Sequence, residues 1–314
     1  MKKAIIIIPY FGKFPQYFQL FLNSCEMNKG FQWLFITDNN DDYNYPANVK
    51  VIHSTFDQIR NRITLKFRFN ISLENVHKLC EFKPAYGWLF PEYIAGYQYW
   101  GYGDIDLIYG NLDKFINEKL YETYDKLFDL GHFSLIKNTI ENNELFMRPY
   151  KGKKIYKMAF SKPENFNFDE SFGHNININR LFCAAGKKVY VDRRNIADIY
   201  TKSNQFRIIR EDEIEKVKEA FFYWNKHGLY RAEKRRGNIL TEEYMYIHLQ
   251  KRKMAVMANH NELYKIIPNC FENLECNEKD ISREFSKIKK KRYNNQYLKI
   301  RYNNLRAKIK DGVF

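Results

Sequence analysis

The chain has 314 residues, of which 45% are hydrophobic and 17% are aromatic. That length is enough to bury a full core in one large α/β domain or two smaller ones, and the aromatic content excludes a disordered protein. The net charge of +15 is uneven, because residues 277–314 hold 12 Lys and Arg against 4 Asp and Glu, a net of +8, which leaves 15 − 8 = +7 for residues 1–276. The charge distribution predicts a main domain over residues 1–276 and a basic region over residues 277–314.

The N-terminus resembles a signal peptide only superficially. Its apolar run, residues 4–8, ends at Pro9, whereas a secretory apolar region needs roughly 7 to 15 residues. No stretch approaches the ~18 consecutive apolar residues of a membrane span. The five cysteines are scattered and lack metal-ligand spacing, which is typical of reduced thiols. We therefore expect a cytoplasmic protein, attached to a membrane peripherally if at all.

The first elements in chain order form a strand–helix–strand pattern. Residues 4–8 are a β-branched run typical of a buried strand, and residues 14–25 have helical spacing, with Pro15 in the first turn and Gly30 as the stop. Residues 31–37 form a second buried strand that ends in the polar loop DNND. A βαβ unit predicts a parallel sheet with its ligand site at the carboxyl ends of the strands.

Later segments extend this pattern. The predicted strands are 49–54, 97–110 and 131–138, and the predicted helices are 55–67, 83–94, 208–228 and 241–252, followed by one or two basic amphipathic helices in 281–314. The fold class is therefore α/β: a single Rossmann-like, mixed but mostly parallel sheet flanked by helices, with a basic helical C-terminal extension.

The stretch GYGDIDLIYG places Asp104 and Asp106 where a buried strand runs out. Residues two apart in a strand point to the same face, so both carboxylates can converge on one ion, and such a pair suits Mg²⁺ or Mn²⁺. Gly101, Gly103 and Gly110 allow close approach of the backbone to a ligand. The alternative interpretation is a turn between two strands.

Six segments taken together resemble a known family: IIIIPYFG, FITDN, CEFKPAYG, YGDIDLIYG, GHFSLIKN and YIHLQKRKM. Over roughly residues 3–260 they are similar, in order and spacing, to bacterial capsular and surface-polysaccharide glycosyltransferases of the GT-A fold, related in layout to glycogenin-like and lipooligosaccharide galactosyltransferases. The resemblance implies a GT-A domain over residues 1–276. It also implies transfer of a hexose, galactose in preference to glucose, from a UDP-sugar to a lipid-pyrophosphate-linked oligosaccharide in capsule repeat-unit synthesis.

The resemblance also implies a metal site, with Mn²⁺ or alternatively Mg²⁺ held by Asp104, Asp106 and His248. An imidazole added to carboxylates favours Mn²⁺ over Mg²⁺. If residues 241–252 are helical, Lys251 and Arg252 lie on the same face as His248 and can hold a pyrophosphate. The alternative is a surface helix with a solvated basic end.

The matching positions give a set of expected nucleotide-sugar contacts. Asp38 can accept hydrogen bonds from uracil or ribose, or it can simply form an Asx turn. Tyr10 and Phe11 can stack on the base or pack in the core, and Lys83 can reach the phosphates, hold Asp104, or lie on the surface. The full expected set is Pro9, Tyr10, Phe11, Asp38, Lys83, Asp104, Ile105, His132 and Lys251.

The resemblance places the catalytic carboxylates at Asp169 and Glu170, where related galactosyltransferases carry an acidic or amide pair near the donor sugar. This sequence has Asp-Glu where others have Asp-Gln, so Glu170 can act on the anomeric carbon or hold a sugar hydroxyl. The alternative for the segment FDESFGHN, which is polar and contains glycine, is an ordinary loop. Retention of configuration, giving an α-linkage, can use a carboxylate nucleophile or a front-face attack in which the leaving phosphate takes the acceptor proton. His132, Ser134 and Asn138 are candidate sugar contacts.

The basic tail predicts attachment to the inner face of the cell membrane, with Phe285, Tyr293, Tyr297 and Ile300 at the lipid interface. The alternative for this segment is a solvated tail.

Two other functions stay open: a nucleic-acid-binding protein that uses the aromatic–basic tail, and a nucleotidyltransferase that shares the aspartate pair. Nucleic acid is not the expected partner, because the body carries little net charge for its size.

Overall fold

The computed structural model describes residues 2–171, 173–210, 213–217, 220–258, 262–274, 281–291 and 295–310. Its strands are β1 Lys2–Pro9, β2 Phe31–Thr37, β3 Val49–His53, β4 Tyr97–Gly103, β5 Leu107–Tyr109, β6 Lys126–Leu130, β7 Phe133–Lys137, β8 Val189–Tyr190, β9 Ile196–Ile199, β10 Phe206–Arg210, β11 Glu213–Val217, β12 Ala220–Asn225, β13 Gly228–Arg235, β14 Asn238–Tyr244, β15 Tyr246–His248, β16 Ala255–Val256, β17 Leu263–Ile267 and β18 Cys270–Asn273.

The described α helices are α1 Phe18–Glu26, α2 Phe56–Lys66, α3 Leu79–Phe82, α4 Tyr86–Leu89, α5 Pro91–Ile94, α6 Glu118–Thr123, α7 Ile140–Glu144, α8 Ile155–Ser161, α9 Ile178–Ala184, α10 Ile281–Lys291 and α11 Asn295–Lys310. The helices that the structure describes include none with the length and apolar character needed to cross a bilayer.

The chain divides into two compact units, which we call the first and second units. The first comprises Met1–Phe14, Asn28–Ile105 and Ile116–Val191, and the second comprises Pro15–Met27, Asp106–Phe115 and Asp192–Phe314. The predicted division into a domain and a basic region at residue 276, which rests on charge and resemblance, stays a prediction.

The first unit is built on a seven-stranded sheet in the order β3-β2-β1-β4-β7-β6-β8. Four of its six strand pairs are parallel, and β7 runs antiparallel to both β4 and β6. Strand β1 lies between β2 and β4, and its four isoleucines are all buried. The carboxyl ends of β1, β2 and β4 therefore meet at one edge of the sheet.

Short helices and aromatic side chains cover one face of this sheet. Helix α2 begins with a capping box between Thr55 and Gln58, which satisfies the first free N–H groups. Trp100 and Tyr102 of β4 are fully buried in a hydrophobic core cluster. The predicted helix over residues 83–94 is instead a short 3₁₀ turn, Lys83–Ala85, followed by α4 and α5, because Pro91 starts a new helix after Phe90.

The second unit contains two sheets. One has the order β11-β10-β9-β15-β5 and the other has the order β14-β13-β12-β17-β18-β16. Helix α10 packs on the latter through Ile281, Phe285 and Ile288. Lys265 of β17 forms an ion pair with the buried Glu284 of α10, which fixes the helix on the sheet.

The predicted α/β class, with a mixed, mostly parallel Rossmann-like sheet flanked by helices and a basic helical extension, is confirmed. The prediction of a single sheet is wrong, since the described residues form three. The predicted helix over residues 208–228 is also wrong, because strands β10, β11 and β12 occupy its described part. The predicted helix over residues 241–252 is replaced by the end of β14, by β15 and by a turn.

Candidate active site

Two loops meet at the carboxyl ends of β1 and β2 in the first unit. The backbone N–H of Gly12 donates a hydrogen bond to Oδ1 of Asp38 over 2.7 Å. Gly12 adopts a φ of 96°, a conformation that favours glycine. Asp38, predicted to contact the nucleoside, is exposed at this edge and holds the Gly12 turn in place.

The aromatic residues after β1 have mixed environments. Pro9 ends the strand, and the N–H of Tyr10 continues the ladder by donating to the carbonyl oxygen of Ile36 over 2.9 Å. The Tyr10 ring stacks on Phe14 with centroids 5.1 Å apart, and Phe11 packs edge-on against Phe56. Tyr10 and Phe11 are half-buried, so each combines core packing with an accessible part.

Lys83 organises a cluster of carboxylates in the first unit, which we call the Lys83 cluster: Lys83, Asp104, Asp169 and Glu170. Its ammonium donates to Oδ1 of Asp104 over 2.7 Å and to the carbonyl oxygen of Gly131 over 2.9 Å, and it lies 3.6 Å from Oδ2 of Asp169. Burial lowers the pKa of Lys83, but Asp104 and Asp169 outweigh it and hold the pKa well above its ordinary value. Lys83 is therefore a buried cation that locks Asp104.

Asp169 and Glu170 converge on Gly131. Oε2 of Glu170 accepts a hydrogen bond from the Gly131 N–H over 3.2 Å. A Cβ at Gly131 would lie 2.5 Å from Oδ2 of Asp169 and 3.1 Å from Oε2 of Glu170, so only glycine leaves room for both carboxylates. Burial raises the pKa of Asp169 to about 7, while Lys83 opposes the rise and Glu170 adds to it. A carboxyl group with such a pKa can hold or release a proton near neutral pH.

Glu81 is a supporting residue that the sequence did not reveal. Its fully buried carboxylate accepts hydrogen bonds from the N–H groups of Phe166, Asn167 and Phe168, over 2.5, 2.9 and 2.9 Å. These three residues directly precede Asp169, so Glu81 fixes the loop that carries the candidate catalytic carboxylates. Its position two residues before Lys83, in CEFKPAYG, is the only sequence signal that points to it.

The second unit holds a separate set of titratable side chains, which we call the His248 cluster: Asp106, Asp198 and His248. His248 ends β15, and its Nε2 lies 3.4 Å from Oδ2 of Asp106, while its Nδ1 lies 3.3 Å from Oδ1 of Asp198. Burial lowers the pKa of His248, but the two carboxylates outweigh it and raise the pKa to about 10. Asp198 was not predicted as a site residue, although a carboxylate within the apolar run IADI indicates a paired buried charge.

A strained turn follows His248 and wraps around Asp106. The N–H of Leu249 donates to the main-chain oxygen of Asp106 over 2.7 Å, and the N–H of Lys251 donates to its Oδ2 over 2.6 Å. Gln250 and Lys251 both have positive φ, 56° and 54°, which is uncommon for residues other than glycine. Lys251 thus reaches the predicted site through its backbone, and its side chain is exposed.

Arg252 does not have the role that helical spacing suggested. Its guanidinium donates to side-chain oxygens of Asn204 and Asn269 and to main-chain oxygens of Tyr200 and Ser203, over 2.7 to 3.1 Å. Because these four acceptors engage the buried guanidinium, Arg252 stabilises the turn after His248 and is not available to bind a pyrophosphate.

The predicted strand over residues 97–110 is wrong, because β4 ends at Gly103 and β5 begins at Leu107. Asp104 and Asp106 therefore lie in the connection between two strands, separated by the buried Ile105. Asp104, Asp106 and His248 form a group of side chains in the described residues that could hold a metal ion. Carboxylate oxygens with one imidazole nitrogen form a donor set that suits Mn²⁺ and is compatible with Mg²⁺. The residues present therefore fit a divalent cation.

The three other candidate sugar contacts stabilise the fold. Ser134 is fully buried and accepts a hydrogen bond from the Lys126 ammonium over 2.9 Å. Asn138 donates from its amide to the carbonyl oxygens of Ile94 and Tyr97, over 2.8 and 3.1 Å. The carbonyl oxygen of the buried His132 accepts from the N–H of Asp104 over 3.0 Å, which supports the aspartate pair from its backbone.

The fold and the site define an α/β protein with a candidate divalent-metal centre and, in the first unit, a pair of adjacent carboxylates. Residues 6–275 match the model of DUF6625, described as a family of unknown function, and the chain belongs to that family. No curated protein matches the sequence. Among solved structures, that of the galactosyltransferase LgtC in complex with donor and acceptor sugar analogues is similar over 62% of this chain and 75% of that chain, at 10% identity and a TM-score of 0.33.

Proposed function

We propose that the protein is a metal-dependent hexosyltransferase that uses a UDP-sugar as donor. The observation that carries this proposal is the approach of the His248 imidazole to the Asp106 carboxylate, 3.4 Å apart. Asp104, two residues before Asp106, provides the second carboxylate of the same candidate metal group. The proposed cation is Mn²⁺, with Mg²⁺ as the alternative, and it would be held by Asp104, Asp106 and His248. When bound, it would neutralise the negative charge that develops on the departing UDP.

The residues of the Lys83 cluster support the same chemistry. Lys83 holds Asp104 in one orientation, which preorganises a metal ligand before any donor arrives. Asp169 and Glu170 provide two carboxyl groups beside a glycine, where an electron-deficient anomeric carbon can be stabilised. We propose that these two residues contact the donor sugar and that transfer retains the anomeric configuration.

The proposed donor is UDP-galactose, with UDP-glucose as the alternative, and the proposed acceptor is a lipid-pyrophosphate-linked sugar of capsule repeat-unit synthesis. Asp38, Pro9, Tyr10 and Phe11 would contact the nucleoside, which the accessible edge at the ends of β1 and β2 supports. The exposed side chain of Lys251 would approach the phosphates.

The first test is UDP release without acceptor. Purified protein is incubated with UDP-galactose or UDP-glucose, with and without Mn²⁺, and UDP formed by slow hydrolysis is quantified. We expect metal-dependent release from one donor and protection of the protein against thermal unfolding by that donor. Absence of both effects with either sugar would contradict the proposal. Consumption of a nucleoside triphosphate with pyrophosphate release would favour a nucleotidyltransferase instead.

The C-terminal helix α11 supports the proposed membrane location with residues other than those predicted. Phe285 and Ile300 are each only 8% exposed and are unavailable to a bilayer, Tyr297 is half-buried, and Tyr293 lies outside the described residues. Large apolar side chains are instead exposed along α11 with spacings of four, three and four residues: Leu298 at 64%, Tyr302 at 59%, Leu305 at 49% and Ile309 at 62%.

These four residues, which we call the α11 stripe, lie within about 60° of one another around the helix axis. Cations flank the stripe on both sides, Lys299 and Arg306 on one side and Arg301 and Lys308 on the other, and all four are exposed. An apolar face between two rows of cations matches an anionic lipid surface, where the side chains enter the interface and the cations reach the headgroups. Two copies of this face would instead bring like charges together.

We expect α11 to bind vesicles that contain 30% phosphatidylserine in phosphatidylcholine, but not pure phosphatidylcholine vesicles. The double substitution Leu298→Ser/Ile309→Ser should weaken co-sedimentation about 10-fold or more, because both apolar side chains leave the interface. Leu240→Ser is the matched control, since Leu240 is 50% exposed on β14. Equal binding of the double variant and the control would contradict the role of the stripe.

A further inference from the structure

Three neighbouring strands of the second unit present a row of charged side chains. Strand β9 lies between β10 and β15, and the register places Asp198 opposite Arg207 on one side and His248 on the other. Directly paired residues on adjacent strands project to the same face of the sheet. The row Arg207–Asp198–His248 is therefore set by strand register and does not depend on a loop.

Asp198 is the central member of this row and is only 2% exposed. Its Oδ2 lies 2.8 Å from a guanidinium nitrogen of Arg207, and its Oδ1 lies 3.3 Å from Nδ1 of His248. A buried carboxylate needs a cationic partner, and Arg207 provides one at Oδ2, the oxygen that does not face His248. The same carboxylate is thereby held in place while it faces the histidine ring.

The two ring nitrogens of His248 consequently have different partners. Nδ1 faces Asp198, and Nε2 faces Asp106 at 3.4 Å. A carboxylate on the far nitrogen of a metal-binding histidine fixes the ring orientation and increases the basicity of the nitrogen that binds the metal.

We infer that Asp198 is a positioning residue that, anchored by Arg207, directs Nε2 of His248 toward a divalent cation shared with Asp106. This inference rests on the proposed function, since it assigns His248 as a metal ligand. Asp198 itself does not touch the ion or the substrate. Its effect is expected on metal affinity, which differs from the effect of a residue that serves only to pack the sheet.

The test measures Mn²⁺ affinity by isothermal titration calorimetry on the full chain, in the wild type and in Asp198→Asn and Asp198→Ala. We expect both substitutions to weaken Mn²⁺ binding by about 10- to 100-fold. Asp113→Asn, the same change at an exposed position of the second unit, should leave the affinity unchanged. Asp198→Asn keeps the side-chain volume, so it serves as the informative variant if Asp198→Ala does not fold.

A second readout separates failure of this inference from failure of the proposed function. The ¹⁵N chemical shifts of the two His248 ring nitrogens are measured in metal-free protein, where Asp198→Ala should change the shift of Nδ1 more than that of Nε2. Mn²⁺ affinity within twofold of the wild type in both folded variants overturns the inference. If the wild type binds no Mn²⁺, the proposed metal function fails. If, in addition, Asp198→Ala leaves the shifts of both ring nitrogens unchanged, the inference that Asp198 positions the His248 ring fails as well.

Discussion

Substitution of Asp106 by asparagine is expected to reduce Mn²⁺-dependent UDP release by about 10³-fold, the loss typical when a charge-stabilising group is removed from an active site. Asp106 is 6% exposed and faces Nε2 of His248, whereas Asp198 faces Nδ1 and does not occupy the same position. The amide keeps the shape of the side chain but lacks the negative charge that a divalent cation requires.

Asp106→Asn is more informative than Asp106→Ala because Asp106 also has a structural role. Its Oδ2 accepts the N–H of Lys251 over 2.6 Å, and alanine would leave that donor without this acceptor in a strained turn. We expect Asp106→Ala to lower the free energy of unfolding by about 1–3 kcal/mol and Asp106→Asn to lower it by less.

UDP release from the preferred donor is measured at saturating Mn²⁺, together with unfolding by circular dichroism. Asp113→Asn is the control for a carboxylate-to-amide change in the same unit. If folded Asp106→Asn retained half or more of the wild-type turnover, Asp106 would not be a ligand of the catalytic metal.

The fold class and the contact between Lys83 and Asp104 could be predicted from the sequence, whereas several strands of the second unit could not. Polar residues at strand ends mark ligand sites in parallel sheets, and this rule located Asp38, Asp104 and Asp106 because they follow apolar runs. Lys83 was predicted to hold Asp104, and the structure confirms this contact. The roles of these residues toward a nucleotide sugar stay predictions.

The helix prediction over residues 208–228 failed because local pattern and tertiary pairing disagree. Charged and apolar residues alternate there in a way that fits a helix, but AFFYWN is rich in aromatic residues that favour strands. Strand β12 pairs with β17, more than 35 residues later in the chain, and its first five residues are buried. Such long-range pairing leaves no signal in a local window.

The helix predicted over residues 241–252 is wrong, but Lys251 still contacts Asp106. A helix would have placed His248 and Lys251 on one face through their side chains. Strand β15 and the turn with positive φ instead direct the Lys251 N–H to Asp106. Asp198 and Arg207 were missed for the same reason, since both reach the site through cross-strand register.

Substitution of Asp169 by asparagine is expected to have opposite effects on activity and stability. Asp169 is 5% exposed, and its pKa in the folded protein is about 7 against an ordinary value of 3.8. A raised pKa means that the folded state favours the protonated carboxyl group, so the associated stability is present below pH 3.8 and is lost as the pH rises to about 7. Above that pH, the ionised group costs roughly 4 kcal/mol of folding free energy.

Asparagine resembles the protonated carboxyl group at every pH. The stability of Asp169→Asn relative to the wild type should therefore increase by roughly 2 kcal/mol between pH 5 and pH 7.5, as measured by urea unfolding at each pH. Asp42→Asn, a change at an exposed carboxylate of the same unit, should show no such trend. UDP release by Asp169→Asn should fall by about 100-fold or more, because the proposed reaction uses the ionisable group.

The stability and activity of Asp169→Asn together show whether the buried Asp169 carboxyl group serves catalysis or the fold. Lys83 is within 3.6 Å of Asp169 yet does not fully offset its burial, and the glycine at position 131 allows a second carboxylate to approach. A fold selected only for stability would not place two carboxyl groups there, since buried like charges destabilise it. A more stable but inactive Asp169→Asn protein would show that this cost serves catalysis, whereas a pH-independent loss of stability would mean that Asp169 is a structural residue.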